Sequence, residues 1–440
     1  MTVDDLISRS GTGIDSPLAT EIQRDAERMA MRIVASPEVI AAKALVREEL
    51  SRDPVAATPE GAAGLDPGID FWAMSLALRE AIGDPYRPAF DWPIDETPRR
   101  WFGHDFPGAS VGGVGNPDNV YRNAFLDGAR RYEVLGRRFE NGPTTFSLEL
   151  ARQAPGEFML APADGKLAAD LGDQVGILTH RDIVVDADGA FRITLDLDPA
   201  NGRPNHIQTV PGPLALNHRD TLANWRQSPN ALEIRLLDGS PDTPALDEVT
   251  LIQRTAEHLP GYVRFWTPFR RGFLGAPAHN SVSAVFPRDG GWGFAAGGRF
   301  RLEDDEALVI VTEVEGAAYT GLQISDAWMM VPNAQTNQVS LNNSQHVRDA
   351  DGKVTYVIAR RDPGIANWID TAGHGEGWFM LRWQDFASSA DTSRLLHGVE
   401  LVKLDALERT LALGVARFNA SEREAQLARR RTDYASRIGG

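Results

Sequence analysis

The chain has 440 residues, of which 45 are basic, 61 acidic, nine histidine and none cysteine. A formal net charge of −16 argues against nucleic acid and anionic membrane surfaces, since both recruit basic patches. The missing thiol excludes disulfides, thiolate catalysis, iron–sulfur clusters and zinc–thiolate sites. No run reaches the ~18 apolar residues that cross a bilayer, and the acidic start MTVDDLISRS carries no signal-peptide pattern. The expectation is therefore a cytoplasmic protein with no membrane partner.

Residues 16–50 predict helix, with Ala19, Ile22, Ala26, Met29 and Ile33 at near-helical spacing and a break at Ser36-Pro37. Residues 52–68 are rich in Pro, Ala and Gly and read as a linker, followed by a helix over Phe71–Ile82. The next stretch, to Pro117, is irregular and anchored by aromatics such as Trp92 and Trp101. From Asn116 the pattern changes to short alternating runs spaced by turn dipeptides such as Asp127-Gly128 and Asn141-Gly142. Strands are predicted over Val120–Leu126, Arg131–Gly136, Thr144–Leu150, Ile177–Thr179, Ile183–Val185, Ala190–Leu197 and Ala231–Leu237. Pro244–Tyr262 reads as helix. A second β region follows, with Phe294–Leu302, Ala307–Val314, Tyr319–Met330, Gln338–Asn342, Thr355–Ile358 and Trp378–Trp383. Glu400–Ile438 reads as helix, with Ser421 and Glu424 placed for a capping box. The fold class predicted is α+β, mainly β: an antiparallel sandwich-like body with a helical N-terminal annex and C-terminal helices. The divisions expected are 1–90, 91–260, 261–400 and 401–440.

Familiar nucleotide and hydrolase motifs are missing. There is no Walker loop, no G-x-S-x-G and no H-E-x-x-H, and Gly112-Gly113-Val114-Gly115 neither follows a clear strand nor opens a clear helix. His374-Gly375-Glu376 and His104-Asp105 supply two ligands each, short of a metal set, so neither a metal nor a cofactor is expected.

The segment Arg360–Trp383, RRDPGIANWIDTAGHGEGWFMLRW, concentrates charge, aromatics and glycine between two predicted strands. Ordering such a loop costs conformational entropy, which buried hydrogen bonds or a ligand must offset. His374 is the first candidate acid/base and Asp370, placed to orient its ring, the second; alternatively Asp370 caps a turn and His374 is a structural hydrogen-bonder. Arg382 alternates with Phe379 and Leu381, so it faces away from them, either in a buried ion pair or as an anchor for a carboxylate or carbonyl. Asn367, Trp368 and Trp378 belong to the same candidate pocket. Asn343, in the amide-rich run SLNNSQ, and the polar–aromatic pair Asp326 and Trp328 are candidate walls, as are Tyr121 and Arg122 from the first β region.

Two motifs resemble the bacterial domain-of-unknown-function family numbered 1214. One is Pro117-Asp118-Asn119 followed by Tyr121; the other is Asp362-Pro363-Gly364, Asn367-Trp368, Asp370-Thr371 and Gly373. The likeness spans roughly residues 100–400. It implies a β-rich, sandwich-like body and no settled reaction. Two functions stay open at this point. One is a cofactor-independent lyase, isomerase or hydrolase acting on a small, partly apolar, oxygenated metabolite. The other is a module that holds a small molecule or carbohydrate without turnover. The partner expected is a small molecule, and a homo-oligomer is left open.

Overall fold

Three helices, each with a side-chain cap, open the described part of the chain. The computed structural model describes residues 14–113, 115–152, 174–239, 244–273, 277–288, 293–314, 316–386 and 392–439. Residues 1–13 and Val114, on which two of the readings above bear, lie outside it. Helix α1 (Glu21–Val34) is capped by Thr20, α2 (Pro37–Leu50) by Ser36 with Pro37 in its first turn, and α3 (Pro59–Ala81) by Thr58.

Helix α3 corrects the linker expected over 52–68. Its first half carries Pro67 and three glycines, which hid the helix from a propensity reading. Gly61 is required by packing, because a Cβ there would sit 1.8 Å from the Val55 carbonyl oxygen. Helix α4 (Glu248–Phe273) runs through both Pro260 and Pro268 and packs on α2 and α3. Together these helices enclose a core of Trp72, Leu76, Leu259, Tyr262 and Trp266.

The first β region comprises β1 (Asp91–Ile94), the hairpin β2 (Arg99–Trp101) and β3 (His104–Phe106), then β4 (Asn119–Asp127), β5 (Tyr132–Arg137) and β6 (Thr145–Ala151). It continues with β7 (Gln174–Thr179), β8 (Ala190–Asp196), β9 (His206–Gln208), β10 (Pro213–Thr221) and β11 (Ala231–Leu236). The order β1-β4-β10-β6-β7 forms an inner sheet and β11-β5-β8-β9 an outer one. Leu126, Leu148, Leu216, Val134, Ile193 and Phe191 interdigitate between them. Burying each such side chain contributes about 1.5–3 kcal/mol.

The second region comprises β12 (Ser281–Val282), β13 (Phe286–Arg288), β14 (Gly293–Arg301), β15 (Glu306–Thr312), β16 (Tyr319–Ser325) and β17 (Ser340–Asn342). It ends with β18 (Val354–Ala359), β19 (Trp368–Asp370), β20 (Glu376–Gln384) and β21 (Leu396–Lys403). Here the inner sheet runs β12-β14-β20-β16-β17, with β13 on the edge of β14, and the outer sheet runs β19-β18-β15-β21. Phe300, Leu322, Phe379 and Trp383 meet Leu308, Ile310, Tyr356 and Ile358 in the second core. The fold is α+β and mainly β: two sandwiches and a helical layer. Each outer sheet includes one parallel pair, β8 with β9 and β18 with β19.

Three further expectations change. The helix predicted over 400–438 begins as strand β21, paired antiparallel to β15 from Lys403 opposite Glu306. Leucines at 401, 404, 407 and 411 mimic a helical period, but the edge of the β15 ladder decides the conformation. A short helix α5 (Leu407–Thr410) and the long α6 (Ala420–Arg437) follow, the latter capped by an Asn419–Glu422 capping box instead of Ser421–Glu424. Strand β10, central to the first sandwich, was not predicted. Its sequence alternates Asn217 and Arg219 with His218 and Asp220, so no apolar period marks it.

One buried carboxylate ties the bodies together. Asp118, 1% exposed, accepts hydrogen bonds from Trp225 Nε1 (2.7 Å), Asn342 Nδ2 (2.7 Å) and the Tyr319 hydroxyl (2.7 Å). Trp225 is in turn packed by Tyr434 and by the guanidinium of Arg430, 4.4 Å from its ring, both from α6. Asp118→Ala, which strands three buried donors, is expected to cost about 3–5 kcal/mol in chemical denaturation. Asp66→Ala, which breaks an exposed 2.6 Å pair with Arg47, is expected to cost less than about 1 kcal/mol.

Candidate functional site

The long connection 360–375 is held by structural contacts rather than folded over a hollow. Asp362 takes two bonds from Arg423 of α6, at 2.8 and 3.1 Å. Asn367 bridges Val347 and Thr355 through its amide, and the Trp368 indole donates to the Ala359 carbonyl at 2.9 Å beneath the Arg423 guanidinium. Asp370 accepts from the Ala372 amide at 2.8 Å, closing a turn, and burial raises its carboxyl above the usual range. His374 meets Glu60 in the first turn of α3, with Nδ1 3.2 Å from Oε2, so Glu60 and not Asp370 orients the ring.

The expected meeting of His374 with Arg382 does not occur. Glu376 and Arg382 lie six residues apart on one extended strand, β20, which separates the two groups by roughly 20 Å. The other candidates divide in the same way. Arg122 points into the first sandwich, paired with Asp220 (2.6 Å) and the Asn230 carbonyl (2.7 Å). Asp326 accepts from the Trp328 and Met330 amides, and Trp328, fully buried, donates to the Gly61 carbonyl of α3 (2.7 Å). Asn343 accepts from the Thr320 amide at 2.7 Å. These are joints of the fold.

Tyr121, Arg382 and Trp378 stand apart from them, because alternation puts them on the inner sheets' second faces. The first sandwich buries one face of β4, β6 and β10, leaving Tyr121, Arg219, Ser147, Asn217 and Glu149 on the other. Tyr121, Arg219 and Ser147 form one cross-strand row, and the Arg219 guanidinium lies over the Tyr121 ring at 5.3 Å. The second sandwich buries Phe379, Leu381 and Trp383, leaving Trp378, Met380, Arg382 and Gln384 on the opposite face beside Gln323. The two free faces meet. Thr221 donates to Gln384 Oε1 across the gap at 3.1 Å, Arg382 donates to Gln323 Oε1, and Gln323 Nε2 donates to the Gly115 backbone carbonyl. One end of the first face is covered by helices instead, where Phe125 and Ala215 pack on Met74 and Leu78 of α3.

Positive side chains gather in this seam. Arg288, on β13, has its pKa pushed down to about 9, first by burial and then by the guanidiniums of Arg219 and Arg382. Tyr121 and Glu149 act in the opposite sense and more weakly. Phe286, two residues before Arg288, shares a cross-strand row with Ala295 and Arg382 and packs with Met329, Trp378 and Met380 as an apolar flank. Next to the seam Glu96, buried, accepts from the Ser110 hydroxyl and the Val331 amide. Burial, with Asp95 adding to it, pushes the Glu96 carboxyl up to about 8. It abuts the Gly112–Gly115 loop so closely that a Cβ on Gly115 would lie 2.9 Å from Glu96 Oε1.

Arg219, Arg288, Gln323 and Glu96 were not singled out from the sequence. Arg219 sits on the unrecognised β10 and Arg288 on a three-residue edge strand, and neither lies near the loop that drew attention. Among the described residues, no group of three His, Asp or Glu side chains is arranged to hold a metal ion, and no helix is long and apolar enough to cross a membrane.

No family model matches the chain, and no curated protein matches it. Among solved structures, an uncharacterised protein from Burkholderia cenocepacia is similar over 86% of this chain and 99% of its own, with 25% identity and a TM-score of 0.66. The two share this fold. A protein from Vibrio parahaemolyticus matches at 12% identity over 66% of this chain and 90% of its own, with a TM-score of 0.39.

Glu96 makes a pH-dependent contribution whose sign is set by its raised folded-state value. Unfolded, it titrates near 4.5; folded, near 8. Between these values the native state binds more protons, so stability is fullest below about 4.5 and declines as pH rises through about 8. Glu96→Gln is expected to flatten that decline, with a difference on the order of a few kcal/mol between the two ends of the range in urea titrations. An unchanged pH slope in the variant would contradict the buried, protonated state.

Proposed function

We propose that the chain binds a small, partly apolar metabolite bearing a carboxylate in the seam between its two sandwiches. The observation that carries this reading is the crowding of Arg288, Arg219 and Arg382, where like charge and burial lower an arginine's affinity for its proton. A carboxylate is the complement of such a group, since guanidiniums bind its two oxygens with charge-assisted hydrogen bonds. Phe286, Met380 and Trp378 supply the apolar wall that such ligands need for the rest of their surface. The resemblance to the family numbered 1214 and a cytoplasmic setting belong with this proposal and add no chemistry to it.

A second reading has the bound acid turned over by cofactor-independent lyase, isomerase or hydrolase chemistry. Glu96 favours it: a carboxyl that keeps its proton near neutral pH is a proton source, and here it borders the loop that Gln323 ties to Arg382. His374, held on Glu60 at the far end of β20, has no part in this version.

Short-chain carboxylates at a hundred times their dissociation constant should stabilise the protein by about 2.7 kcal/mol in thermal or denaturant unfolding. Arg219→Gln and Arg382→Gln should each weaken binding by roughly tenfold to a hundredfold, measured by calorimetry. His374→Ala should leave the affinity within about twofold. Wild-type affinity in both arginine variants, or no carboxylate bound by the wild type, would end the binding reading. Product detected by NMR after incubation with a bound acid, and lost in Glu96→Gln, would establish turnover.

A further inference from the structure

A cavity of about 100 Å³ opens in the seam beside the arginines, lined by Thr145, Phe146, Ser147, Thr179, His180, Arg181, Gln384 and Asp385. That volume holds a few atoms of ligand or several waters. Its position relative to the guanidiniums follows from strand register. Ser147 is the direct cross-strand partner of Arg219, and Gln384 is two residues beyond Arg382 on the same face of β20, about 7 Å along the strand.

Two polar groups in its wall are buried and unmatched. Gln384 is 2% exposed and Ser147 1% exposed, and neither Gln384 Nε2 nor Ser147 Oγ has a hydrogen-bond partner among the described residues. The amide is oriented, because Gln384 Oε1 is already taken by the Thr221 hydroxyl at 3.1 Å. Leaving such groups unmatched in a buried place is unfavourable, and a ligand oxygen at this point would remove that cost.

The charge here differs from that at the arginines. Arg181 is paired with Asp385, whose other oxygen lies 3.4 Å from His180 Nε2. Burial lowers the His180 pKa from its ordinary value, so the ring is neutral at pH 7. The cavity therefore presents hydrogen-bond donors without surplus positive charge.

We infer that the Ser147–Gln384 cavity is a second subsite of the seam, which accepts a neutral oxygen of the ligand, so that the ligand is a hydroxy, oxo or amide derivative of a monocarboxylic acid and not a dicarboxylate. This rests on the seam reading above and narrows it. The test is calorimetric titration of matched short-chain acids: the plain acid, its hydroxy and amide derivatives, and the dicarboxylate of the same length.

In the wild type the hydroxy or amide acid should bind roughly tenfold tighter than the plain acid, and the dicarboxylate no tighter than the plain acid. Gln384→Glu replaces the donor with an acceptor, and Ser147→Ala removes the hydroxyl. Each should bring the preference for the derivative down to about one. Should Gln384→Glu fail to fold, Ser147→Ala, a smaller change, decides. Tightest binding by the dicarboxylate, or a preference that survives both variants while Arg219→Gln weakens every acid, would overturn the subsite and leave the seam reading standing. Failure of every acid to bind the wild type would remove both.

Discussion

Asp118 is the point on which the arrangement of the two sandwiches turns. A carboxylate removed from water is costly unless its lone pairs are filled, and here three donors from separate parts of the chain fill them. Tyr319 and Asn342 come from the second inner sheet, and Trp225 from the connection between β10 and β11. Asn116 adds a bond of 2.9 Å to the same tyrosine. The C-terminal helix is included through Trp225, whose ring packs against Tyr434 and carries the Arg430 guanidinium over its face. Hydrogen bonds are directional where apolar contacts are not, so this hub fixes how one sandwich sits on the other.

That fixed relation creates the seam. An inner sheet with one face in an apolar core must show its other face to water or to a partner surface, and in each sandwich that second face mixes polar side chains with apolar ones. Bringing the two faces together removes Arg382 and Ser147 from bulk solvent and sets the guanidiniums of Arg219 and Arg382 within electrostatic reach of Arg288. The Asp118 hub holds the faces in register, and between them burial and like charge lower the Arg288 pKa.

The loop over 360–375 shows how composition can mislead about role. Its aspartates are bonded to backbone amides or to Arg423, and its asparagine and tryptophan are buried and bonded to backbone groups, which is what ordering an irregular connection requires. Residues of the second quoted motif, Asp362, Asn367 and Trp368, all serve in this way, and Asp118 of the first does so at the hub. The same density of polar groups that suggested chemistry holds a loop in place. Arg219 and Arg288, the seam companions of Arg382, drew no attention, since each is flanked by ordinary neighbours and the three meet only across the two sheets.

What the sequence determined by itself is the class of fold and most of its strands. Alternating runs such as Val120–Leu126 and Ala307–Val314 carry their own period, and turn dipeptides mark their ends. It also put Arg382 on the face opposite Phe379 and Leu381, because side-chain alternation is a local property of a strand. Tertiary structure alone decided the rest. Strand β10 exists because β4 and β6 pair with both its edges, β21 because β15 offers an edge, and α3 begins early because Trp328 and Val55 pack against Gly61. The companions of Arg382 were likewise settled by contacts between residues far apart in the chain, and pairing over such separations leaves no trace in local periodicity.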